Sequence, residues 1–104
     1  MSANHPDPRR MIAKALLRTH DTANQARGAH SRLRAHLARQ ADYGGTTDTI
    51  SMQLAASVAE FQAKRNACAD MCLVIGASQA QVDLALRDDD DAFYDLYDAM
   101  RGRD

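Results

Sequence analysis

The sequence predicts an all-α fold: a long antiparallel helical hairpin with one or two short C-terminal helices folded against it, paired into a dimeric helical bundle. Three observations predict it. Ile12, Leu16, Thr19, Ala23, Ala26, His30, Leu33, Leu37 and Gln40 follow one another in alternating steps of four and three, a heptad seam that no Pro interrupts. Ala is abundant and β-branched residues are sparse, which favours helix over strand. Gly44-Gly45, Gly76 and Gly102 stand where successive helices should stop.

Residues 1–7 form a frayed tail. Asp7 is placed to cap the first helix, with Pro8 at its first position, where a missing N–H costs nothing. Helix one then spans residues 8–42. Ala15, Thr22, Ala29 and His36 form a second column of mostly small residues beside the seam and widen its buried stripe. Arg18, Gln25, Arg32 and Arg39 recur every seven residues on the outside, and Arg27 and Arg34 share another column. This is a basic, solvated flank. A helix this long needs a surface to pack on, which the rest of the chain must supply.

Tyr43-Gly44-Gly45 ends the helix, and Thr46, Thr47 or Asp48 can cap the next. Helix two covers residues 48–75. Leu54, Phe61, Cys68 and Ile75 make one column, with Ile50, Val58, Met71 and Cys72 alongside; Lys64 and Arg65 interrupt the stripe. A short loop makes the two helices antiparallel neighbours, with Ala26 near Ala63 and His30 near Glu60.

Leu73-Val74-Ile75 is the most apolar run, and Gly76 stops it. Ser78 can cap a third helix through about Arg87. Asp88 to Asp91 are four acids in a row, which suit a helix N-terminus. A short fourth helix, residues 91–101, then presents Phe93, Leu96, Tyr97 and Met100 on one side. No repeat or long linker divides the chain, so residues 1–104 read as one small domain.

Composition narrows the chemistry. There is no Trp, and aromatics are 5% of the 104 residues, so the core must be aliphatic. No apolar run approaches the roughly 18 residues of a membrane span, and no apolar segment follows the charged N-terminus as a signal peptide requires. The formal charge of −1 conceals a polarised chain. Residues 1–42 carry eight Arg or Lys against three Asp, and all four His; residues 80–104 carry eight Asp against three Arg. Such asymmetry fits a nucleic-acid face or an acidic tail, and equally an attraction between the two ends, within one chain or across a dimer.

Cys68 and Cys72 lie one turn apart and read as reduced core thiols in a cytoplasmic protein, ahead of an interchain or redox disulfide or a metal site. His30 reads as a hydrogen-bonded core histidine, with Glu60 as its partner. Glu60 is the only Glu, which argues against a carboxylate-bridged metal bundle. No G-x-S-x-G, phosphate loop, H-E-x-x-H or C-x-x-C occurs. No catalytic residue, cofactor or metal is therefore assigned.

The expected function is that of a non-enzymatic protein–protein interaction or regulatory module, an adaptor or inhibitor acting through helix faces, homodimeric and with a protein partner. The partner-facing candidates are Phe93, Tyr94, Tyr97 and Met100, with Asp89 and Asp90 beside them. Removing residues 88–104 is expected to abolish capture and leave a folded hairpin. A second expectation is nucleic-acid contact through Arg18, Arg27, Arg32, Arg34 and Arg39.

Two short motifs carry a family resemblance. Tyr43-Gly44-Gly45 in the turn, with Tyr94-Asp95-Leu96-Tyr97-Asp98 near the C-terminus, resembles the W-x-G hairpin proteins exported by type VII secretion. Those proteins carry a C-terminal Tyr-x-x-x-Asp/Glu signal. Tyr43 stands where the family has Trp, and the paired cysteines depart from its pattern. The resemblance implies a secreted helical hairpin.

Overall fold

The chain is described by a computed structural model at residues 7–42 and 49–102. Four helices and no strand occupy the described residues: α1 Pro8–Asp42, α2 Thr49–Val74, α3 Gln79–Leu86 and α4 Asp90–Arg101. The expected tail before Asp7, the Tyr43-Gly44-Gly45 stop and the caps at Thr46, Thr47 and Asp48 lie outside the described residues.

Local chemistry sets the helix ends. The Asp7 carboxylate accepts from the Arg9 N–H at 3.0 Å and opens α1. At the end of α2, Ala77 N–H donates to Cys72 C=O at 2.8 Å and Gly76 N–H to Leu73 C=O at 3.2 Å. This is a Schellman closure, and Gly76 takes the φ of 111° that it requires. Ser78 and Gln81 form a reciprocal capping box on α3. Asp89 caps α4, accepting from Ala92 N–H at 3.1 Å.

α1 and α2 run antiparallel. The Thr19 hydroxyl meets the Cys72 thiol at 3.2 Å, Thr22 lies beside Cys68, and the Ser51 hydroxyl donates to Gln40. That pairing lies within two residues of the Ala26–Ala63 register expected from a short connecting loop. Small side chains line the contact: Ala23, Ala26 and Ala29 are buried on α1, and Val58 and Ala69 on α2.

The core lies at one end. Ala13, Leu16, Ala69, Cys72, Val82, Ala85, Phe93 and Met100 form one buried cluster, with Ile12, Leu17, Leu86 and Leu96 packed against it. α3 and α4 therefore cover the half of the hairpin that holds the start of α1 and the end of α2. The other half extends as a bare two-helix arm, and the molecule measures 67 × 23 × 21 Å.

The His30–Glu60 pairing does not form. His30 is exposed, and Glu60 instead pairs with Lys64 on its own helix at 3.2 Å. The reason is coverage: α3 and α4 end at the junction with Arg27, and His30, one turn further along α1, lines the open cleft beyond it.

Candidate functional site

A buried histidine joins three of the four helices. His20 is fully buried on α1. Its Nδ1 lies 2.8 Å from Ala85 C=O at the end of α3, and its Nε2 lies 2.6 Å from Asp90 Oδ1 at the start of α4. A carbonyl only accepts, so Nδ1 carries a proton. A ring protonated on both nitrogens donates to both acceptors, and the Asp90 contact is then charge-assisted. Asn24, one turn on, donates to the same Asp90 oxygen at 3.2 Å. Phe93 stacks on the imidazole with centroids 4.2 Å apart and planes 12° from parallel. Tyr94 meets the same ring edge-on at 5.9 Å.

Arg27, one heptad beyond His20, completes the junction. It donates to Leu86 C=O at 2.9 Å and Arg87 C=O at 3.4 Å, the carbonyls that the end of α3 leaves open. It also donates to the Asn24 side-chain oxygen, and Asp88 stands 3.6 Å from its Nε. His20, Asn24 and Arg27 thus form a polar column at i, i+4 and i+7 on the side of α1 that receives α3 and α4.

The covered face ends in a step. Beyond Arg27 a cleft of about 370 Å³ opens between the arm helices and the α3–α4 connection, lined by Ala26, His30, Gln62, Arg65 and Asp88 among others. Continuing the columns by heptads puts Arg34 after Arg27, and Ser31 and Ala38 after Asn24, on the same face with no helix above them. Arg34 is exposed, and Leu37 beside it is 46% exposed.

The predicted site residues fall into distinct groups. Phe93 and Met100 are buried and belong to the core. They are not partner-facing, because α4 turns its apolar side onto α1 and α3. Removing residues 88–104 would also strip His20, Leu16 and Val82 of their cover. Tyr97 is half-buried against Phe93, and Tyr94 is 42% exposed. Asp89 is the α4 cap, and Asp90 is the partner of His20. The type VII signal positions, Tyr94 and Asp98, lie inside docked α4. Arg18, Arg32, Arg34 and Arg39 are exposed along α1, while Arg27 is half-buried and bound to the junction.

Cys72 is fully buried and Cys68 half-buried, both as free thiols. Burial pushes the Cys72 thiol above its ordinary value, against the opposing hydrogen bond from Thr19. Among the described residues no three His, Cys, Asp or Glu side chains converge as a metal site would need.

Sequence reasoning passed over His20. Its signal was the column His20, Asn24 and Arg27 beside the apolar Ala13 and Leu16, opposite a run of acids able to reach it.

The junction has an acid signature. The hydrogen bond from His20, then that from Asn24, holds the Asp90 carboxyl below its ordinary value. A carboxyl lowered in the folded state contributes stability above its unfolded value of about 3.9, and loses it as pH falls through the folded value. Wild type is therefore expected to be more stable than Asp90→Asn at pH near neutrality, with the gap closing in acid. Urea midpoints across the acid range check this; a gap independent of pH would contradict it.

No helix among the described residues is long and apolar enough to cross a membrane. The chain matches no family model, no curated protein and no solved structure.

Proposed function

We propose that the chain is a non-enzymatic helical interaction module, of the adaptor or inhibitor kind, that binds through helix faces. One observation carries this reading. α3 and α4 cover one half of the hairpin face, and the same face of α1 continues bare for about four further turns (residues 28–41 at 3.6 residues per turn). The bare half combines exposed Arg34 with Leu37, an apolar side chain open to solvent. We read this uncovered helix face, with an arginine beside an exposed leucine, as the interaction face. The matching surface is an acidic helix. We place the protein in the cytoplasm, where Cys68 and Cys72 remain thiols.

Capture from native lysate tests the module. Arg34→Glu combined with Leu37→Asp is expected to lose the partners that wild type retains, with helicity unchanged because both positions are exposed. Unchanged capture would move the binding face elsewhere.

The exposed arginines favour a second reading, nucleic-acid binding. Among the described residues, Arg18, Arg32, Arg34 and Arg39 form no ion pair and lie free to meet phosphates. A duplex mobility shift that fades steeply with salt supports it, and no shift at low salt removes it.

A further inference from the structure

We infer that the bare half of the hairpin face seats the α3–α4 end of a second copy of this chain, each copy filling the step of the other about a two-fold axis. The inference rests on the reading of that face as an interaction surface, and it names the occupant.

Shape is the first argument. Each chain is thick where α3 and α4 lie on the hairpin and thin along the arm. The bare stretch of α1, residues 28–41, is about 21 Å long, and the 12 residues of α4 span about 18 Å. A copy turned end for end about an axis at the corner of the step lays its own α3–α4 end on that stretch. The same rotation places the first copy's α3–α4 end on the second copy's arm. The contact is isologous and closes at two chains.

Charge is the second argument. Phe93 and Met100 point α4 inward, so Asp91, Asp95 and Asp98 form its outermost row by helical position, and all three are exposed. α4 as a whole carries Asp90, Asp91, Asp95 and Asp98 against Arg101. On the bare face itself the arm carries Arg34, one heptad past Arg27, with Arg65 at the corner cleft; Arg32 and Arg39 lie in the separate outer column of α1. Two-fold packing sets the acidic row of one copy against Arg34 and Arg65 of the other. Parallel stacking of like ends would instead oppose acid to acid. The charge polarity along the chain therefore selects the antiparallel pair, and it does so at both contacts at once.

Burial is the third. Leu37 gains cover, and so does the cleft at the corner between Arg65, His30 and Asp88. The second copy's α3–α4 end is then held between two hairpins instead of lying on one.

A charge exchange tests this by light scattering on the full chain. Wild type is expected at twice the 11.4 kDa chain mass, shifting toward one chain as salt rises. Arg34→Glu alone and Asp95→Arg alone should each weaken the pair by about tenfold or more, because each opposes like charges at both contacts. An equal mixture of the two variants should regain the dimer, since every substituted position then meets its opposite. Circular dichroism reports that both remain helical. Should a reversal disturb helicity, Arg34→Gln and Asp95→Asn make the same comparison with milder weakening. A monomeric wild type, a dimer indifferent to both substitutions, or a mixture that stays monomeric overturns the inference. A monomeric wild type whose capture still depends on Arg34 and Leu37 overturns the second copy alone. Loss of both overturns the interaction face as well.

Discussion

Phe93→Ala is expected to lower the free energy of unfolding by about 3–5 kcal/mol, the range for a fully buried aromatic. Among the described residues Phe93 is the largest fully buried side chain. It fills the space between α1, α3 and α4 and stacks on His20. The truncation removes the ring's burial, leaves a cavity and takes the stacked face from the imidazole. A small domain holds roughly 5–15 kcal/mol in all, so the loss is a large share of the total. A denaturant midpoint measures it. A change below about 1 kcal/mol would mean that α4 is not docked through Phe93.

His20→Leu is the second large effect, with an expected loss of about 2–3 kcal/mol. Leu nearly keeps the volume, so the cavity contribution is small and the hydrogen bonds are what is lost. Ala85 C=O loses its ring donor, and Asp90 keeps only the Asn24 amide. The damage should concentrate where α3 and α4 meet α1. The Thr19–Cys72 and Gln40–Ser51 contacts hold α1 to α2 without His20.

Much of the fold was legible because local signals and burial agreed. Asp7 with Pro8, Ser78, and the acids Asp88 to Asp91 before Ala92 are short-range signals, and each stands where a helix opens. Gly76 ends α2 for the same kind of reason. The antiparallel pairing was expected from the short connection between the two helices, and the small Ala23, Ala26 and Ala29 let them approach closely.

The site was less legible, because it depends on which neighbour covers which part of α1. A heptad seam names one stripe, whereas the first half of α1 is buried on two sides and the second half on one. His30 lies on the seam and is exposed; His20 lies beside the seam and is buried, because α3 and α4 reach only that far. The same placement turned Phe93 and Met100 from exposed candidates into core. The acids were correctly assigned to a helix start, but Asp90 does more than cap: it reaches across to α1. The charge polarity between the chain ends was visible from composition, and the step that gives it a geometry appears only in three dimensions.

Hydrogen exchange on wild type and His20→Leu tests the central claim, that His20 fastens the α3–α4 end onto one half of the hairpin. Local opening free energies read directly from amide exchange. Amides of α4 should exchange about tenfold faster or more in the variant, while those of α2 between residues 51 and 60 keep their wild-type rates. Equal acceleration along the whole chain, or none in α4, would contradict it.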